Sequence, residues 1–366
     1  MVVDDGKILA SPKKGSSLKG IIFVFIFLAI LVAAYFILIQ FPTFSFLPLA
    51  KEKFPALENP KTTTFNWTYK NQKFSLSQTY YQSVDEYYAK KQKGVFEGQE
   101  EKDINQYLYI NEKDSSLDDL LVGLKEKSSN KNFTSDEFLE YTAAFVQSIP
   151  YDSEKAKNDT LHPRYPYEVL YENKGICSDK TFLATILIRK LNYGSAIFFY
   201  KDQEHIASAV KCSEDNSNYN SGYCIVESTA PGNKIGIIPK IKSTGIASLE
   251  AQQLSVNSQS DSQVLDNPEI FGFYNGEEYK GIIETLKIKN EIDSINSELL
   301  NLQKEINVAQ NELDGLKKTM DQYKSDGQID LYNSYVDQYN SKLEALKALI
   351  SQYNQKVTRY NYLIKQ

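Results

Sequence analysis

One thiol, one imidazole and one carboxylate occur in an order that suits acyl transfer. Cys177 stands in Gly175-Ile176-Cys177-Ser178-Asp179, at the head of an apolar helical stretch that continues through Phe182, Leu183, Ile186, Leu187 and Leu191. A thiol at a helix N-terminus meets the positive end of the helix dipole, which favours the nucleophilic thiolate. A nucleophilic Cys needs a base, and the chain has two His in all, His162 and His205. His162 lies in the polar loop Asn158–Arg164 and reads as exposed. His205 opens the strand-like run His205-Ile206-Ala207-Ser208-Ala209-Val210. An imidazole base needs a third group to hold its tautomer. Glu227, in Tyr223-Cys224-Ile225-Val226-Glu227-Ser228-Thr229, ends the next strand-like run. Neighbouring antiparallel strands lie about 4.8 Å apart, so Glu227 is expected to face His205 across that pair. Cys177, His205 and Glu227 then become nucleophile, base and orienter.

The elements that must position them follow from periodicity. Ser178–Leu191 and Ser135–Val146 are predicted as helices, the second with Ser135 as N-cap and Asp136 and Glu137 in its first turn. Ala196–Tyr200, Ile206–Cys212 and Tyr223–Glu227 are predicted as strands. The expected fold class is α+β, a helix-borne Cys packed on an antiparallel sheet. Residues 61–240 form this domain, with 61 to about 130 expected to pack as a helical extension ahead of the core.

Three ordered motifs carry a resemblance. Phe145-Val146-Gln147-Ser148-Ile149-Pro150-Tyr151 precedes Tyr165-Pro166-Tyr167-Glu168-Val169-Leu170, and Gly175-Ile176-Cys177 follows. With His205 on a strand and Glu227-Ser228-Thr229 beyond it, residues 130 to 240 resemble the transglutaminase-like superfamily of papain-type cysteine enzymes. The closer likeness is to its prokaryotic, often membrane-anchored branch. The resemblance implies Cys177 as nucleophile, His205 as base and Glu227 as the acid that orients it. The superfamily more often has Asp in the third place and, in many relatives, an acidic residue where Ile176 stands. Glu adds a methylene, so its backbone must sit farther back. Gln147 is a candidate to bind an oxyanion together with the Cys177 N–H.

Cys212 and Cys224 flank the polar loop Ser213–Tyr223 and are placed either to bridge or to remain two half-buried thiols. Bridging leaves Cys177 as the odd free thiol. So few Cys and His exclude a zinc-finger array, and no metal or cofactor is expected. With 41 basic against 47 acidic residues, the net charge is −6 and no basic block exceeds two Lys, which argues against nucleic acid as a partner. Arg occurs at 164, 189 and 359 alone, a bias read as compositional and without structural meaning.

The 42% hydrophobic content is an average over unlike parts. Ile21–Ile39 carries no charge and, at 1.5 Å per residue, extends to roughly 28 Å of helix, the thickness of a bilayer core. Residues 20–41 are therefore expected to be a retained transmembrane helix. Lys7, Lys13, Lys14 and Lys19 precede it, so residues 1–19 are expected in the cytoplasm and everything after about 42 outside the membrane. Residues 42–60, with four Pro, read as a spacer, and the Ser- and Gln-rich residues 241–277 as a polar linker. Asn66, Asn132 and Asn158 head glycosylation triplets on the outer side.

From 278 to 366 the pattern is that of a coiled coil. Apolar residues alternate at four and three from Ile288 to Tyr323, and again from Tyr332 through Leu346, Ile350 and Tyr353 to Ile364. The break at Gly327 predicts an antiparallel helical hairpin with arms of about 50 Å, either closed on itself or capturing a second copy or another protein. The expected function is a membrane-anchored enzyme acting on peptide or carboxamide bonds through an acyl-thioester, with hydrolysis favoured over cross-linking. The alternative is a silent scaffold that organises envelope partners through the coiled coil.

Overall fold

The computed structural model describes residues 53–91, 93, 101–159, 162–242 and 262–364. The expected membrane helix, residues 20–41, its cytoplasmic flank and most of the spacer lie outside the described residues. Among the described residues, no helix is long and apolar enough to cross a membrane.

The body opens on a β-hairpin where helical packing was expected. Strands β1 (Pro60–Tyr69) and β2 (Gln72–Tyr81) pair antiparallel, with Tyr69 opposite Gln72. Phe65, Trp67 and Tyr69 alternate inward while Thr64, Asn66 and Thr68 face solvent, the period of a half-buried strand. Lys70 and Asn71 join the strands with φ of 46° and 59°, left-handed values that match the twist of a two-residue hairpin. The inner face packs on the helix at Ser135–Ser148: Phe65 and Phe145 lie 5.1 Å apart, Phe74 and Tyr141 4.8 Å, both edge-on.

Helices α1 (Gln82–Ala89), α2 (Glu101–Tyr107) and α3 (Ser116–Ser128) lead to α4 (Ser135–Ser148). The N-cap of α4 is Thr134 rather than Ser135. Glu137 N–H donates to Thr134 Oγ1 and Thr134 N–H donates back to Glu137 Oε2, a reciprocal box that Ser135 lacks the spacing to make. Short helices α5 (Ser153–Asn158) and α6 (Pro166–Glu172) precede α7 (Cys177–Lys190). Every residue of α7 from Cys177 to Ile188 is buried, because the helix lies between the α4 layer and a four-stranded antiparallel sheet. That sheet runs β5 (Tyr223–Val226), β4 (His205–Lys211), β3 (Ser195–Tyr200), β8 (Glu269–Tyr274). Its last strand comes from the expected linker, which also supplies β7 (Ser262–Val264), paired with β6 (Lys240–Lys242). The fold is α+β.

Cys212 and Cys224 form a disulfide, with Cα atoms 5.8 Å apart, between the end of β4 and the start of β5. His205 begins β4 and Glu227 follows β5, so the bridge pins the two strands that carry the candidate base and acid. Both sulfurs are buried against Tyr279 and Ile282 at the foot of the C-terminal arm. Replacing both Cys by Ser is expected to lower stability by about 3 kcal/mol, the entropy of closing a loop of this length, as read by denaturant unfolding. A loss under about 1 kcal/mol would show that packing alone holds the strands.

The arm is α8 (Ile282–Ser325, 44 residues) folded back on α9 (Ile329–Leu363, 35 residues), about 66 and 52 Å long. Gly327, at φ 72°, makes the reversal. The first-arm seam lies as predicted, with Ile292, Ile295, Leu299, Leu313 and Met320 buried. In the second arm Ile350 and Ile364 are exposed, while Leu363 is buried against the first arm and Leu349 is half-buried. Each lies beside another apolar residue in sequence, so spacing alone does not tell which of the two the helix turns inward.

Candidate active site

Cys177 is the first residue of α7 and is 8% exposed, against an apolar wall of Ile104, Tyr107, Phe182, Ile197 and Ile206. Its position is set by a bridge between Tyr151 and Gly175: Gly175 N–H donates to Pro150 O at 3.1 Å and Asp152 N–H to Gly175 O at 3.2 Å. Asn173, in the left-handed region at φ 54°, ends α6 and turns the chain toward that bridge.

His205 and Glu227 are fully buried, with Nε2 2.7 Å from Oε2. The β4–β5 register pairs Ser208 with Val226. Continued by one step it sets Glu227 against Ala207, so Glu227 reaches His205 along the diagonal rather than straight across. Diagonal neighbours on one face lie about 7–8 Å apart, which suits the extra methylene of Glu. The other oxygen, Oε1, accepts Thr229 N–H at 2.7 Å and Thr229 Oγ1 at 2.5 Å, so the Glu-Ser-Thr turn locks the carboxylate. With Nε2 committed to Glu227, Nδ1 is the ring nitrogen left available to the thiol. It lacks a hydrogen bond of ordinary geometry, and Cys177 acts on the ring through charge and weak hydrogen bonding. Contacts of this kind commonly tighten only when substrate binds. Burial alone would lower the imidazole pKa, but the Glu227 carboxylate and the thiol outweigh it and push it up to about 10. Burial likewise opposes ionisation of Glu227, yet His205 and Thr229 hold its carboxyl below the usual range. Tyr200 stacks on the imidazole, with centroids 6.1 Å apart.

Gln147 is not placed as an oxyanion donor. Its amide donates to Glu227 O at 2.9 Å and Asn233 O at 2.8 Å, while its oxygen accepts Gly232 N–H at 3.1 Å. Both protons are spent on backbone, so Gln147 braces the loop behind Glu227.

Sequence reasoning missed Asp179 and Lys180. Asp179 is fully buried two residues after the thiol. It accepts Ile176 N–H (3.1 Å), Arg164 N–H (2.6 Å) and Lys155 Nζ (2.6 Å), fastening the first turn of α7 to the segment before it. The Arg164 guanidinium also reaches Asp152 at 2.8 Å. Burial opposes it, but the Lys155 N–H and the guanidinium hold the Asp152 carboxyl at about 2. The signal was present: Arg164 is one of three Arg in a chain rich in Lys. Each Arg makes several directed bonds. Arg189 ties α7 to Ser195 Oγ (3.0 Å) and Gly272 O (2.7 Å), and Arg359 grips both oxygens of Glu291 across the arm. A Lys presents a single nitrogen and cannot reproduce that fork, so the bias does have structural meaning at these three positions.

His162 is exposed and bonds Asp159 within its own loop. Asn66, Asn132 and Asn158 are all exposed. Among the described residues, no group of His, Cys, Asp and Glu is placed to hold a metal ion. A cleft of about 600 Å³ opens at the foot of the arm, lined by Glu140, Lys234 and Ile288 among others, and Cys177 is not part of it.

A family model described as a transglutaminase-like domain matches residues 116–217. The matched span runs from α3 through β4, includes Cys177 and His205, and stops before Glu227. No curated protein and no solved structure matches the chain. The chain carries a transglutaminase-like domain of that superfamily.

Proposed function

We propose that this domain is a thiol acyl-transfer enzyme that cleaves peptide or carboxamide bonds, held outside a membrane by residues 20–41. The observation that carries the reading is the buried His205–Glu227 pair whose free nitrogen is left for Cys177. The Cys177 sulfur attacks the carbonyl carbon, giving up its proton to His205 Nδ1. The C–N bond then breaks, the amine leaves with that proton, and an acyl-thioester remains. Water, deprotonated by His205, attacks the thioester and releases the acid, restoring the thiol. Backbone N–H groups in the first turn of α7 have no intrahelical acceptor and are the donors available to the oxyanion. Placement outside the membrane is supported by the Lys-rich segment before the apolar run and by a disulfide, which needs an oxidising compartment. Asn66, Asn132 and Asn158 are exposed enough to be glycosylated there. The projecting arm favours a secondary role in contacting a second copy or an envelope protein.

Labelling the full chain with iodoacetamide at pH 7 tests the pairing. Cys177→Ala should abolish labelling at this site, and His205→Ala should slow labelling of Cys177 by at least about tenfold, because the imidazole no longer takes the thiol proton. Unchanged labelling in His205→Ala would end the assignment.

A further inference from the structure

Lys180 lies on α7, three residues after Cys177, and is 1% exposed. Its Nζ donates to Gln147 O at 3.1 Å and Ile149 O at 2.8 Å, the carbonyls that end α4. An apolar side chain would fill this space at no electrostatic cost, so a lysine in full burial calls for a charge partner.

The charges around it supply one. If Cys177 and His205 react as thiolate and imidazolium, Cys177 and Glu227 are negative and His205 is positive. The buried site then carries one uncompensated negative charge. Asp179 does not enter this count, because Lys155 and Arg164 already neutralise it. Glu227 is the ionised group acting on Lys180 from the segment after β5. His205 faces the site from β4, and the neutral Tyr151 phenol acts on both Cys177 and Glu227 from the segment after α4. Lys180 and Cys177 stand three apart on one helix, which sets their Cβ atoms about 5–6 Å apart.

We propose that Lys180 is a positioning residue that balances the charge of the Cys177–His205–Glu227 site and, through its bonds to the end of α4, sets the distance between the Cys helix and the loop behind Glu227. The proposal rests on the thiol–imidazole pairing given above. Burial brings the Lys180 ammonium down to about 7, with Glu227 working against that fall. Its charge is therefore present on the acid side of neutrality and fades at higher pH.

The test is the pH dependence of Cys177 alkylation by iodoacetamide in the full chain, compared among the native protein, Lys180→Met, Lys180→Gln, Lys180→Arg and His205→Ala. Loss of the charge in Lys180→Met should move the acid midpoint of the profile up by about one pH unit and slow labelling at pH 6 about tenfold. Lys180→Gln keeps donors for the two carbonyls and should show the same shift, which covers the case in which Lys180→Met does not fold. Lys180→Arg should return the midpoint to the native value even if its larger head slows the reaction at every pH. A midpoint in Lys180→Gln within about 0.3 unit of native, with His205→Ala still slowed, overturns charge balance and leaves the pairing intact. If His205→Ala is not slowed, the pairing itself has failed and the proposal falls with it.

Discussion

Glu227→Gln is expected to slow alkylation of Cys177 at pH 7 by about tenfold, as much as loss of the imidazole itself, although it changes one atom. The reason is the fixed donor at Thr229. In the native turn Oε1 accepts both the Thr229 N–H and its hydroxyl, while Oε2 accepts from His205 Nε2. A Gln has one acceptor oxygen, which the backbone N–H of Thr229 will claim. Its NH2 is then turned on Nε2, which must become an acceptor, and the ring proton moves to Nδ1. An imidazole protonated at Nδ1 cannot take the proton of Cys177. The pH dependence of folding should change as well. The His205 pKa is raised by folding, so its contribution is complete below about 6.5 and is lost as the pH climbs toward about 10. The Glu227 pKa is lowered, so its contribution is present above about 4.3 and is lost as the pH falls below that. The native chain should therefore be favoured by this pair most strongly between those limits, and Glu227→Gln should flatten that maximum. A labelling rate within threefold of native would show that Glu227 does not select the tautomer.

The largest loss of stability is expected at Asp179. Its carboxylate is fully buried and holds Lys155 Nζ, the Arg164 N–H and the Ile176 N–H. Asp179→Ala leaves a nearly buried ammonium and an interior N–H without partners, at a cost of about 3–5 kcal/mol in denaturant unfolding. Asp179→Asn keeps the shape and an acceptor for Ile176 but not the charge facing Lys155, so it should fall between Ala and native. The labelling rate of the folded fraction should also drop, because the same bonds place the first turn of α7. A loss below about 1 kcal/mol would mean that the cluster is screened by solvent and positions nothing.

Local chemistry and pattern were legible where they repeat over several residues. The helix carrying Cys177, the strand that His205 begins, the strand that leads into Glu227, and the first-arm seam each rest on a run of apolar residues at one period. The β1–β2 hairpin was equally open to reading, since Phe65, Trp67 and Tyr69 alternate. Where two apolar residues adjoin, as Leu349 and Ile350 do, the period is satisfied either way and only packing against α8 selects one.

Residue types and their order along the chain determined which thiol, imidazole and carboxylate were available, because there are so few of each to choose from. Tertiary structure alone decided the rest. It turned Glu227 onto His205 along a diagonal, spent both protons of Gln147 on backbone carbonyls, and drew Lys155 and Arg164 around Asp179. It also brought β8 from within the expected linker to the sheet edge. Each of these depends on groups brought together from distant parts of the chain, and a hydrogen bond or ion pair of that kind leaves no period in the sequence from which to read it.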